Sequence, residues 1–469
     1  MLFERVFSEG LALNSYIIGD GGVAAVIDPR RDVRIYPEIA AQHACTITHI
    51  FETHRNEDYV VGSSGLAELC GADIFHGAAT DFTYGNPVRE GDMFAFGSLS
   101  LGVLETPGHT EESISLVLRD EESGDEPWAV FCGDTLLAGD IARTDFFGTA
   151  RNGEMAATIY DSIVQKILPL GDGVIVCPAH GAGSVCAGSS ISDRPFTTCG
   201  YEKAANPFLR MGKKRFVSLR KQGSHPLPPY FRMMERWNLA GAPVRPLSDP
   251  APLSAAGLDG LRAGPCQILD IRGPSGFAGG HVPGSISIWK NGISSFAGWF
   301  LSYDDPIAIV DDFDGDAGPV ILQLYRMGFD NIAGVLAGGI GTWYKHAGTI
   351  AKSGTCSVQE LHERLGASQD RDRKRAGGSP AGTPYILDVR DADHRHAFGH
   401  IRNSHHIFVG ELPGRVGEVP ADRTIYVICD AGFKAGIAAS ILLRNGFPSI
   451  TNVLGGMTAW LQAGFGVEH

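Results

Sequence analysis

Four short segments each place a candidate ligand just beyond an apolar, strand-like run. They are Glu52-Thr53-His54, Thr106-Pro107-Gly108-His109-Thr110, Phe131-Cys132-Gly133-Asp134 and Cys177-Pro178-Ala179-His180-Gly181. Loops at strand ends are where binding and catalytic side chains concentrate. Gly or Pro stands close to three of the four ligands, as expected of tight turns that aim a side chain. Two imidazoles with one carboxylate form the set that holds non-haem Fe(II) on one face and leaves its other positions open. A lone histidine is ordinarily structural, but four such segments in one order point to a metal.

A thiol is the second chemical candidate. Cys429 follows the apolar run Ile425-Tyr426-Val427-Ile428 and opens the loop Cys429-Asp430-Ala431-Gly432-Phe433-Lys434-Ala435, ahead of a helical pattern from Ile437 to Leu443. Short apolar runs of this kind suit strands buried on both faces of a parallel sheet.

The elements that must carry these residues fall into a repeat and a distinct N-terminal half. Leu269-Asp270-Ile271-Arg272 recurs as Leu387-Asp388-Val389-Arg390, and Gly280-His281-Val282 as Gly399-His400-Ile401. Gly328-Phe329 answers Gly446-Phe447, and Gly338-Gly339 with Trp343 answers Gly455-Gly456 with Trp460. Four landmarks in one order define a duplicated α/β domain. The first half instead reads as short strands at Val23–Ile27, Ile47–Phe51, Leu99–Leu104, Ser113–Leu118, Trp128–Cys132 and Val174–Cys177. A Pro-containing stretch from Ala242 to Pro252 links the two parts, so the expected domains are 1–241, 242–351 and 352–469. The polar segment Gly366 to Pro384 is expected to be a mobile loop.

Composition narrows the function classes. The 469 residues suit about three domains. A formal charge of −14 argues against a nucleic-acid partner, because phosphate affinity comes from clustered Lys and Arg. Nine unpatterned cysteines imply no disulfide framework and fit a reducing cytoplasm. No signal peptide or membrane span is expected, and homo-oligomerisation is left open. One local reversal of charge, Arg210 to Arg236, could steer an anionic substrate or simply form a solvated helix face.

The four ligand segments resemble the metallo-β-lactamase superfamily, whose first motif is T-H-x-H-x-D-H. Thr53-His54-Arg55-Asn56-Glu57-Asp58-Tyr59 keeps His54 and Asp58 but has Asn56 and Tyr59 where two histidines are expected. The surrounding segments, including Gly139 to Asp145 and His180 to Ser184, are similar to the persulfide dioxygenase branch. That resemblance implies an αββα sandwich in which His54, His109 and Asp134 bind mononuclear Fe(II). It implies oxidation of a low-molecular-weight persulfide, of glutathione or coenzyme A type, by dioxygen to sulfite and thiol. Asp58, Tyr59, His180 and Asn56 would then surround the ligands. Arg143 would face the anionic substrate or pair with Asp140 or Asp145. Cys186 matches a cysteine of multidomain persulfide dioxygenase–sulfurtransferases and would relay sulfur or pack. Two alternatives stand beside this reading: a zinc thioester hydrolase of the glyoxalase II kind, which Asn56 and Tyr59 disfavour, and a metal-free domain.

The repeats resemble rhodanese domains, whose loop reads C-x-x-G-x-R-[ST]. Cys429 and Gly432 match it, Lys434 replaces Arg, and Ala435 lacks the hydroxyl. The resemblance implies two α/β domains with parallel sheets and sulfane-sulfur transfer through Cys429. Backbone N–H groups of such a loop favour a sulfur anion and should lower the thiol pKa. Asp311 aligns with Cys429 in the first copy. A carboxylate cannot carry sulfur, so that copy is expected to be a spacer or docking unit.

Overall fold

The structure is a computed structural model that describes residues 1–469 except 186–190, 223–225, 248, 314, 347 and 375–383. It contains two compact units: Met1–Leu247 with Leu322–Asp330, and Ser248–Ile321 with Asn331–His469.

The first unit holds two six-stranded sheets. One runs in the order Leu2–Ser8, Leu13–Asp20, Val23–Ile27, Thr46–Glu52, Asp73–Gly77, Asn86–Val88. The other runs Thr197–Thr198, Ile175–Pro178, Pro127–Gly133, Ile114–Asp120, Leu99–Glu105, Met93–Phe96. Alternation along the strands builds the layers. Tyr16, Ile18, Ala25 and Ile27 meet Leu116, Leu118 and Phe131 in one core between the sheets. Their neighbours Ile17, Ala24 and Val26 face the helices Ile35–Gln42 and Ser63–Cys70 on one outer side. Val117, Val130 and Cys132 face Ala156 and Ile159 of the helix Thr149–Ser162 on the other. Both faces of each sheet are therefore buried, and the architecture is the expected αββα sandwich.

The second unit holds two five-stranded, wholly parallel sheets of equivalent order. Ile307–Val310 and Ile425–Ile428 are the central strands and are buried throughout. The repeated sequence folds into repeated bonds. Arg272 donates to both oxygens of Asp270 and, at 2.8 Å, to the Gly280 carbonyl; Arg390 does the same to Asp388 and, at 2.8 Å, to Gly399. Trp343 and Trp460 each donate to a carbonyl six residues on, at 3.1 Å.

One expectation fails. The helix Val358–Lys374 covers the first half of the segment expected to be a loop. Its Arg, Lys, Gln and Ala residues are good helix formers, so high charge there marks a helix rather than irregular chain. The rest, 375–383, lies outside the described residues, as does Cys186. Among the described residues no helix is long and apolar enough to cross a membrane.

Candidate functional site

Each ligand-bearing loop leaves a strand and is held by a specific partner. Asp28, next after the strand Val23–Ile27, accepts from Thr53 N at 2.8 Å and from the Thr53 hydroxyl at 2.7 Å. With its proton given to Asp28, the hydroxyl oxygen accepts from His54 Nδ1 at 2.9 Å. His109 Nδ1 donates to the Arg143 carbonyl at 2.9 Å. Both rings thus carry the proton on Nδ1 and turn Nε2 inward as a lone pair. His54 Nε2 lies 3.9 Å and His109 Nε2 3.5 Å from Asp134 Oδ2. Gly108 lets the second loop approach closely: its φ of +134° and the backbone of Ile159 leave no room for a side chain.

The ligand atoms of His54, His109 and Asp134 lie within 4.8 Å of one another, all buried. The separations of 3.9 and 3.5 Å from Asp134 Oδ2 are ones that a single ion bonded at ~2.1 Å can span. His109 Nε2 is buried without a hydrogen-bond partner among the described residues. These residues fit a metal ion. Burial pushes His54 down to about 3, keeping it neutral as a ligand must be, and burial likewise lowers His109. Burial would raise the Asp134 carboxyl, but His180, with His109 and His54, holds it well below the usual carboxylate range.

His180 does not join the three. Its Nδ1 lies 2.8 Å from Asp134 Oδ1, and its Nε2 lies 3.1 Å from Asp58 Oδ2. Burial opposes its charge, yet Asp134 and Asp58 raise it well above the usual imidazole range. Asn56 turns its amide to the His54 carbonyl at 3.2 Å, and Tyr59 packs with its ring centroid 6.4 Å from that of His180. Arg143 is bonded to Asp145 at 2.7 and 2.9 Å, the pairing that sequence held as its alternative.

Sequence reasoning missed Asp28, the Arg143 carbonyl and Glu57. Buried Glu57 sets Oε2 3.9 Å from His109 Nε2 while Oε1 accepts from Arg55 at 3.2 Å. Its only sequence signal was its place inside the first motif. Glu57, Arg55, Phe146, Phe231 and Arg232 line a cavity of about 460 Å³, and the Phe146 ring meets His109 edge-on at 5.0 Å. Of the basic stretch, Arg232 lines this cavity. Lys213 instead pairs with Asp161, and Arg220 donates to the Ile141 carbonyl.

In the second unit, Cys429 directly follows the strand Ile425–Ile428 and is fully buried. Gly432, at φ +97°, turns the loop so that its N–H donates to Cys429 Sγ at 3.1 Å. The expectation of a lowered thiol pKa is overturned: burial pushes it up, and Asp430 adds to the rise, against the N–H groups of Ala435, Ala431 and Gly432. A neutral cradle does not offset removal from water. Lys434 is bonded to Asp391 and lies 3.2 Å from Asp430. Asp311 occupies the equivalent place, since Ile340 N donates to its carbonyl at 2.9 Å as Met457 N does to that of Cys429 at 2.8 Å. Its carboxylate lies 2.7 Å from Lys290 Nζ.

Residues 9–180 match the metallo-beta-lactamase superfamily, and residues 255–346 and 358–463 match the rhodanese-like domain. A metallo-beta-lactamase of solved structure from Staphylococcus aureus subsp. aureus COL is 30% identical at a TM-score of 0.63, covering 72% of this chain and 99% of that one. The chain belongs to the metallo-β-lactamase superfamily. The chain also carries two rhodanese-like domains. Its first half is 28% identical over 240 residues to the mitochondrial persulfide dioxygenase of Bos taurus, covering 49% of this chain and 84% of that protein. It is also 30% identical over 167 residues to a hydroxyacylglutathione hydrolase of Francisella philomiragia, covering 35% of this chain and 61% of that one.

Proposed function

We propose that the first half oxidises a low-molecular-weight persulfide to sulfite and thiol at a mononuclear Fe(II) held by His54, His109 and Asp134. The second rhodanese-like domain would pass sulfane sulfur through Cys429, so that both halves share one substrate class. Bound iron would supply open coordination positions at which an anionic sulfur and dioxygen can react. The observation that carries this reading is the donor set. Three neutral or anionic ligand atoms converge, while Asn56 and Tyr59 offer no imidazole and His180 is held between two carboxylates. That arrangement favours one ion over two. Asp28 and Thr53 hold His54 in its ligand tautomer, and the Arg143 carbonyl does so for His109. Phe146 and Phe231 give the neighbouring cavity an apolar wall against water, and Arg232 gives it a cation for an anionic carrier.

The test is metal analysis of protein purified without air, together with oxygen uptake on glutathione persulfide. About one iron per chain and uptake abolished by His109→Ala are expected from a single three-ligand site. Two zinc ions with S-lactoylglutathione turnover would establish the hydrolase instead, the reading favoured by the likeness to hydroxyacylglutathione hydrolase. No bound metal would leave the domain without catalysis of either kind.

A further inference from the structure

The mouth of the Cys429 loop has an arrangement that sulfur transfer alone does not require. Lys434 is the loop's cation, and its ammonium is bonded to Asp391 and lies 3.2 Å from Asp430. The other Asp430 oxygen lies 3.1 Å from His394 Nδ1. Asp391, His394 and Asp430 are close enough to hold a metal ion, but the Lys434 ammonium already sits against both carboxylates. At this rim two carboxylates thus meet the loop's one ammonium, and the His394 imidazole meets only Asp430. The thiol itself is met by neutral N–H groups, such as that of Gly432 at 3.1 Å. Beside this polar rim is an apolar surface. Phe433 is 42% exposed, and its ring lies 5.0 Å from that of Trp289, which the first repeat contributes.

We infer that Asp391 and Asp430 select the sulfur donor at Cys429, favouring ammonium-bearing organic persulfides and excluding compact dianions such as thiosulfate. The inference rests on the reading of Cys429 as a sulfur carrier. Thiosulfate concentrates two charges on one small ion, and a Lys434 already neutralised by two carboxylates gives it no net attraction. An organic persulfide carries at most one charge at its reacting sulfur. If derived from cysteine, it also brings an ammonium that the carboxylates complement, and carbon that Phe433 and Trp289 can cover. In the transfer step the Cys429 thiolate attacks the outer sulfur of R–S–SH. A Cys429–S–SH persulfide forms as the old S–S bond breaks, and the electron pair leaves on R–S⁻, which then takes up a proton from water. No net oxidation occurs.

The test measures loading of one sulfur atom onto Cys429, by intact mass and rate, with cysteine persulfide and with thiosulfate as separate donors. The wild-type chain should prefer the persulfide. The double variant Asp391→Asn with Asp430→Asn should lower that preference by ~10-fold or more, through removal of two nearby charges. Lys434→Gln, which removes the ammonium from between the two carboxylates, should raise it. A purely structural lesion would slow both donors together and leave the ratio unchanged. Raised salt should weaken the wild-type preference, as screening requires. Equal loading by both donors in the wild type, or a ratio that neither variant moves, overturns the inference while leaving Cys429 a sulfur carrier. If neither donor loads Cys429, the sulfur-carrier reading fails and the inference fails with it.

Discussion

His180 Nδ1 lies 2.8 Å from one oxygen of Asp134 and 2.9 Å from the other, so the carboxylate that faces His54 and His109 is itself held by a third imidazole. The same ring reaches Asp58 with its other nitrogen at 3.1 Å. A group that orients a ligand in this way tunes metal affinity without touching the metal.

His180→Ala should therefore weaken metal binding by roughly 10–100-fold while leaving the three ligands in place. Competition against a chelator of known affinity measures this directly. Unchanged affinity would mean that Asp134 needs no such support.

Gly108→Ala should disturb both folding and metal binding. The new methyl would overlap the Ile159 backbone, and φ of +134° is unfavourable for any side chain. Backbone strain alone costs about 1–3 kcal/mol, and the overlap adds to it. A lowered midpoint of thermal unfolding with reduced metal content is the expected outcome. A variant that matches wild type in both would show that the His109 loop can relax.

Arg390→Ala should destabilise the second unit strongly, because it removes the guanidinium bonded to both oxygens of buried Asp388 and leaves only Arg395, at 3.6 Å. Breaking such a pair costs about 3–5 kcal/mol. Arg272→Ala should cost a similar amount, since Arg272 makes the same bonds in the repeat that lacks the thiol. Denaturant midpoints for the two variants provide the comparison. A harmless Arg272→Ala would mean that the first repeat does not depend on this pair.

Alkylation of Cys429 should accelerate with rising pH. Burial lifts the thiol above its ordinary range, so the neutral form dominates near neutrality and the reactive thiolate grows as pH approaches the raised value. The rate should still be climbing between about pH 7 and 9. Asp430→Asn removes a charge that contributes to the rise, so its profile should move to lower pH. A wild-type rate that is flat across that window would show a thiol already ionised.

The sequence by itself determined the duplication and the spans of the strands Ile307–Val310 and Ile425–Ile428. It also placed His54, His109, Asp134 and Cys429 at strand ends. These features are legible because each is local: periodicity, turn residues and motif spacing lie within a few neighbouring residues. Only the tertiary structure decided which groups meet. Asp28 reaches His54 through Thr53 across 25 residues of chain, and His180 reaches Asp134 across 46. Glu57 turns toward His109 because Arg55 holds its other oxygen. The direction of the Cys429 shift likewise depends on burial supplied by the whole domain, which outweighs the loop's own N–H groups. Local sequence carries propensity and pattern, whereas desolvation and pairing between distant residues exist only once the chain has folded.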